Sequence, residues 1–316
     1  MKRSLLRAAC CCALSAVPVA AYAHGIAGAR VFPATLTMDD PAVGDELSLP
    51  TLQVTPGQTG TASNEYQYAF EWDKTIIKGL GIAFNDGWEN IRQPAGIGGN
   101  LYGWQDPVVT LKYEFLENDP HEILASVGVQ REFGGGGAPV HLPDVDFVGW
   151  TQPTLYLGKG LGDLPNSVGL LRPFAVTGEL GYQWSDKINP TISGAPYGNP
   201  DFWNIAFSVQ YSMEYLQSQV KDYGLPEFIN NMIPLVEVTY ATPASASHAG
   251  NTTAGQIAPG ILYEGGTYQI GLEALIPATH AAGNELGVIA QLHFYLDDIF
   301  PTTLGKPLFD GEAPRL

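Results

Sequence analysis

Glu65, Glu71, Glu114, Glu132, Glu179, Glu214, Glu237 and Glu273 share one property: each stands on the polar side of a segment in which polar and apolar residues alternate. Bases on that side are few, namely Lys112 and Arg172, and His293 joins them. If these sides face one enclosed space, the crowded acids favour cations and set the selectivity of a passage. The same residues also suit a packed polar network that props the enclosure, because narrow barrels fill their interiors with side chains. Either arrangement needs strands that send all of them to one side.

Other chemistries find less support. His24, His121, His141, His248, His280 and His293 show no metal-ligand spacing, although His24 at a processed N-terminus could hold copper and His141 with Asp144 and Asp146 could hold a cation in a loop. A solvated loop is the simpler reading, and no metal or other cofactor is expected. No serine lies near His293 in sequence, so no nucleophile–base pair is expected and the chain is read as a non-enzyme. No glycine-rich phosphate loop follows a strand and opens a helix.

The strands themselves are legible. Tyr66, Tyr68, Phe70 and Trp72 alternate with Glu65, Gln67, Ala69 and Glu71; Trp203 to Tyr215 and Leu286 to Leu296 repeat the pattern over longer stretches. Candidate strands fall at 45–54, 64–73, 75–85, 104–117, 121–133, 150–158, 170–184, 202–216, 231–241, 254–263, 266–277 and 285–297. The third carries Lys78 on its apolar face, the mark of a bulge, and the sixth contains Pro153. Tight connections are expected at Asp73-Lys74, Asn118-Asp119-Pro120 and Gly265-Gly266, with 159–169 and 217–230 longer and the second able to hold a short helix. Loops at 55–63, 86–103, 134–149, 185–201, 242–253 and 278–284 lie at the other end. Short turns at one end and long loops at the other suit a transmembrane barrel. Trp88, Trp104, Trp150, Trp184 and Trp203 fall at the loop end and Trp72 at the turn end, as two aromatic girdles would require.

Composition agrees. Charged residues make up 15% of the 316 residues, against about 25% in an average soluble domain. Lys2, Arg3 and Arg7 precede an apolar run from Ala8 to Ala21, and Ala21-Tyr22-Ala23 forms a cleavage site, so residues 1–23 read as a secretory signal peptide. Cys10, Cys11 and Cys12 all lie within it, which leaves no disulfide framework beyond it. Removing its three positive charges takes the net charge from −17 to −20, which argues against a nucleic-acid partner. An exported chain without a further apolar stretch near 20 residues crosses a membrane only as a barrel.

Three segments carry a resemblance: HGIAGARVFPATLTMDDP from His24, GKGLGDLP from Gly158, and GVIAQLHFYLDDIFP from Gly287. With the signal peptide they resemble proteobacterial outer-membrane proteins of the phenol meta-cleavage degradation type. The resemblance covers most of the mature chain diffusely and implies an outer-membrane barrel that passes hydrophobic or aromatic small molecules. Bacterial barrels commonly finish on an aromatic residue read during assembly. Here the chain continues past Phe300 to Leu316, so that signal is internal, around Gly287 to Phe294, or the last strand lies elsewhere.

The expectation is therefore an all-β, antiparallel transmembrane barrel of about twelve strands in the outer membrane of a Gram-negative bacterium. Residues 24–44 form a periplasmic leader or a lumen plug, 45–300 the barrel, and 301–316 a periplasmic tail. Its partners would be outer-membrane lipid, lipopolysaccharide and a small-molecule ligand. The substrate path would be lined by Glu71, Lys112, Glu114, Glu132, Glu179, Glu214, Glu237, Glu273 and His293. Two other readings stand beside this one: a closed structural or adhesive barrel acting through its loops, and a soluble β-sandwich.

Overall fold

The alternation read from the sequence becomes a closed wall in the computed structural model, which describes residues 25–56, 64–92, 100–135, 149–186, 200–244 and 252–316. A small hairpin, β1 (Gly25–Ala27) and β2 (Arg30–Phe32), precedes the wall. The wall strands are β3 (Glu46–Thr55), β4 (Asn64–Ile77), β5 (Leu80–Arg92), β7 (Val108–Asn118), β8 (Ile123–Glu132), β9 (Trp150–Gly160), β10 (Phe174–Ser185), β11 (Phe202–Tyr211), β12 (Met232–Pro243), β13 (Ala254–Glu264), β14 (Tyr268–Pro277) and β15 (Gly287–Tyr295). Short β6 (Leu101–Trp104) adds only to the loop end of β5. Every neighbouring pair is antiparallel and β15 pairs with β3, so 12 strands close the ring and leave no edge.

Orientation of the side chains decides between membrane and water. Along β11 the outward residues Trp203, Ile205, Phe207 and Val209 are exposed, whereas Ala206, Ser208 and Gln210 are buried. The same outward exposure holds for Val127 and Val129, Leu155 and Leu157, and Ile270, Leu272 and Ile276. A soluble sandwich turns its apolar face inward; this wall turns it outward around the circumference, which only lipid can cover. Rings gather at both ends of the belt. Trp88 packs on Tyr102 and Trp104, and Tyr182 on Trp184 and Trp203, at the loop end; Phe174 meets Tyr211, and Phe228 stacks on Tyr263, at the turn end. No helix among the described residues is long and apolar enough to cross a membrane, and the crossing is made by strands.

Several expected boundaries need correction. Asp73 and Lys74 are not a turn: β4 continues through them to Ile77, and the chain reverses at Gly79, whose φ of +82° a residue with a Cβ rarely adopts. The bulge signalled by Lys78 lies just before it, between Thr75 and Ile77. β5 runs on to Arg92, because the alternation of Phe84, Asn85, Asp86 and Gly87 is too weak to reveal a strand that pairing with β4 nonetheless holds. β11 stops at Tyr211, because Ser212 caps a short helix at Met213–Tyr215 that continues to Val220 as a π-helix. Glu214 lies on that helix, exposed to solvent, and is therefore not a lining residue. The last strand sits at Gly287–Tyr295, in agreement with the internal position expected for it.

Beyond β15 the chain turns through a short helix at Leu296–Ile299 and passes beneath β4, β5 and β7. Leu308 and Phe309 donate backbone hydrogen bonds to Thr75 and Ile76, and Leu316 to Phe115. Arg315 pairs with Glu114 at 3.1 Å and with Glu117. Lys74, buried by this tail, pairs with Asp45 and donates to the Leu304 and Lys306 carbonyls.

Candidate functional site: a barrel interior floored by its own N-terminal segment

Residues 25–45 enter the barrel from the turn end and fold against its inward face. Two contacts explain how they fit. Gly158 on β9 leaves space that a Cβ would take from the Phe32 ring. Gly271 on β14 does the same for Leu36, since a Cβ at this position would lie only 2.5 Å from the leucine side chain. Leu36 then completes an apolar socket with Ile233, Leu235, Ala258, Leu262, Leu275 and Ile289. Phe32 packs with Ala27, Ala42, Leu124 and Ala175 in a second cluster nearer the turn end.

The segment has little secondary structure after β2, so its backbone amides need partners from the wall. Glu237, fully buried, accepts from Leu36 N–H at 3.0 Å, Thr37 N–H at 2.7 Å and the Thr37 hydroxyl. Glu273 lies beside it. Glu114 accepts from Val43 N–H at 3.3 Å, and Glu179 faces the Asp39 backbone. Carbonyls are served as well: Gln269 donates to Ala34 at 2.7 Å and Ser126 to Pro41. Lys112 pairs with Asp39 at 2.7 Å, donates to the Asp40 carbonyl and sits 4.9 Å from the Tyr156 ring centroid.

A clasp at the turn end holds the hairpin. Arg30 is 1% exposed. It pairs with Glu122 at 3.2 Å, donates to the carbonyls of Pro173 and Arg172, and lies 3.9 Å over the Tyr215 ring. Glu122 also accepts from Tyr215 O–H at 2.7 Å and Gly162 N–H at 3.1 Å, and it adopts a left-handed φ of +50° that aims its carboxylate into the cluster. Burial lowers the Arg30 pKa and the nearby Glu122 opposes that shift; burial, then the hydrogen bond to Glu122, raises that of Tyr215. Gly160 and Gly162 make room, since a Cβ at either would collide with the Glu122 carboxylate.

Of the residues expected to line a path, Glu71, Lys112, Glu114, Glu179, Glu237, Glu273 and His293 lie in the interior. Glu132 has inward parity at the loop end of β8, and Glu214 lies outside, as described above. The interior acids do not line a bare pore: Glu114, Glu179 and Glu237 are spent largely on the backbone of residues 36–43. His24, His141, His248, Asp144 and Asp146 fall outside the described residues. His121 meets Asp163 and His280 meets Asn284, and no cluster of three metal-ligating side chains forms among the described residues.

His293 has neighbours that the sequence hid. Ser48 Oγ lies 2.9 Å from Nδ1, and Glu46 Oε2 lies 3.2 Å from Nε2. The Tyr295 ring packs edge-on against the imidazole, and the adjoining cavity of about 50 Å³ has room for water. Arg30, Glu122 and Tyr215 also escaped the sequence reading. Their one legible sign was glycine at every second position in Gly158, Gly160 and Gly162, which signals close backbone approach along a strand face.

Above residues 35–39, towards the loop end, the interior opens into a chamber of about 560 Å³. Its wall carries Asn85, Gln130, Gln152, Gln183, Asn204 and Gln291, with Glu71 and Glu179 lower down. The floor is Thr35 to Asp39.

No family model matches the sequence, and no curated protein matches it. Solved structures do. An outer membrane channel from Pseudomonas putida F1 superposes with a TM-score of 0.52 at 11% identity, covering 84% of this chain and 99% of that one. The NanC and KdgM porins follow with TM-scores of 0.47 and 0.46, at 10% and 8% identity, covering 78% of this chain and 97% and 98% of theirs. At these identities the likeness is one of fold: a closed barrel of the outer-membrane kind.

Proposed function

We propose that this protein is a passive outer-membrane channel for small molecules, closed at rest by residues 25–45. The observation that carries the reading is the chamber of about 560 Å³ inside a closed wall, floored by a segment of the same chain rather than by the wall. A barrel meant only as a solid support would fill this space from its strands. The segment is instead held by a discrete clasp and by hydrogen bonds that can be exchanged for water. The resemblance implies hydrophobic or aromatic cargo, and such molecules would meet a largely polar lining above the floor.

The full chain in planar bilayers should conduct weakly, and deletion of residues 25–43 should give a large, steady conductance while the barrel keeps its heat-modifiable mobility on gels. A folded deletion variant that conducts nothing overturns the channel. The packed interior also favours a second reading, a closed structural or adhesive barrel acting through its loops. That reading expects the deletion to leave conductance unchanged and loop shortening at 134–149 and 185–201 to abolish partner binding.

A further inference from the structure

The chamber wall is chemically unusual for the small hydrophobic cargo that the resemblance implies. Its polar groups are mostly amides, which are uncharged and offer both a carbonyl acceptor and two N–H donors. They are already ordered. Asn204 donates to the carbonyl oxygens of both Gln152 and Gln183, Gln130 donates to the Tyr156 hydroxyl at 2.9 Å, and Gln291 donates to Thr51 at 3.1 Å. Each glutamine oxygen in the Asn204 chain accepts one such bond and has a second lone pair to offer. The Gln291 carbonyl oxygen is buried and has no hydrogen-bond partner among the described residues.

Charge narrows the ligand further. Glu71, Glu179 and Asp39 border the chamber, and no Lys, Arg or His is among its described lining residues. Lys112 is turned beneath the floor, where Asp39 holds it. An anion would face carboxylates with no counter-charge among the described lining residues. An apolar molecule would cover amides without satisfying them, at a cost of about 1–3 kcal/mol for each group left unpaired. A hydroxyl is both donor and acceptor and suits amide and carboxylate alike. Trp150, expected in the aromatic girdle at the loop end, has the inward parity of Gln152 and lies on the same wall, where it offers a flat apolar face of the kind that packs on the C–H side of a sugar ring. The volume lies within the range of about 300–1,000 Å³ typical of small-molecule sites.

We propose that the chamber is a binding site for small neutral polyhydroxylated molecules of monosaccharide to disaccharide size. This assignment rests on the channel reading, since it names the class of solute that the channel would admit. Binding is measured by calorimetry on the full chain in detergent, with residues 25–45 in place, using glucose, maltose, glucosamine, glucuronate and phenol. Glucose or maltose should bind, and glucuronate should bind at least about tenfold more weakly for want of a counter-charge. Gln183→Leu and Asn204→Leu should each weaken the sugar by about fivefold, the worth of one or two hydrogen bonds. Trp150→Leu serves the same purpose from the rim should either amide variant fail to fold.

Tighter binding of phenol than of either sugar, or no sugar binding at all, overturns the proposal. Glucosamine binding more than about tenfold tighter than glucose makes the site a cation site and also overturns it. These outcomes are separate from those of the channel itself. A deletion variant that conducts, in a protein that binds no sugar, removes the ligand class and leaves the channel standing.

Discussion

At the scale of single residues the interior is a set of buried polar groups, most with a named partner. Breaking a buried ion pair by removing one partner costs about 3–5 kcal/mol, because the other charge is left uncompensated. Arg30→Ala should therefore release the hairpin: subtilisin should cut near residues 25–35 in the variant and not in the parent, and conductance should rise. Glu237→Gln keeps the shape but exchanges a charged acceptor of three hydrogen bonds for a neutral one. Hydrogen bonds to charged groups contribute about 1.5–3 kcal/mol, so this variant should shift the segment towards open, seen as more frequent open events in single-channel records. A Glu237→Gln record matching the parent would remove Glu237 from the hold on the segment. Much of this scale was legible beforehand. Strand parity alone puts Glu237, Glu273, Glu179, Lys112 and His293 inside the wall. Their partners were hidden, since Leu36, Thr37 and Asp39 are about 70 to 200 positions away in sequence and no local pattern links them.

At the scale of elements the glycines of β9 and β14 matter most. Gly158 and Gly271 are inward positions where any side chain would meet Phe32 or Leu36. Gly271→Val should leave the wall folded, because valine suits a strand, but should evict the side chain at position 36 from its socket. The fluorescence of Leu36→Trp should then report a wetter environment in the Gly271→Val background than without it. Unchanged emission would mean that the socket tolerates the valine. The strands were legible because each crossing repeats one simple rule over about ten residues. The turn end was less so. Asp73-Lys74 looked like a turn because two charged residues, the aspartate a turn former, interrupt the alternation, but Lys74 is held in β4 by Asp45 and by carbonyls of the tail, a tertiary contact that overrides local preference. Glu214 was misplaced for a similar reason: the alternation Tyr211, Met213, Tyr215 continues past the strand, while Ser212 caps a helix across it.

At the scale of the whole molecule, an acidic chain is wrapped in an uncharged belt. Outward side chains such as Phe207, Leu180 and Ile270 meet lipid, and a charge placed there near the bilayer midplane costs about 2–4 kcal/mol. Phe207→Arg should lower the urea midpoint of refolding into vesicles. Ser208→Arg, its inward neighbour, is a steric insult at a fully buried site and should act on conductance as well as stability. If Phe207→Arg refolds as the parent does, the outward face of β11 is not in contact with lipid. The fold class was legible from the apolar belt, the aromatic ends and the lengths of the connections. The filled interior was not, because a segment with polar and apolar residues in irregular order has no periodicity to read, and its place is fixed only by the shape of the wall around it.

That dependence has a consequence for the order of folding. The groups that hold residues 25–45 come from β7, β8, β10, β12 and β14, spread around the circumference. No single hairpin offers more than a few of them, and the seam that completes the ring joins β15 to β3, immediately after the segment in the chain. The segment precedes every wall strand in the chain, yet its full set of partners is complete only after the last of them is in place. The Leu36 socket forms on the consecutive strands β12 to β15, but the partners on β7, β8 and β10 face it across the interior only once the seam has closed, and the docked segment then ties β7 to β14 and stiffens the ring against reopening. A barrel built in this way carries an internal check on its own completion, and protection of residues 25–45 from a protease during refolding should appear no earlier than closure of the wall.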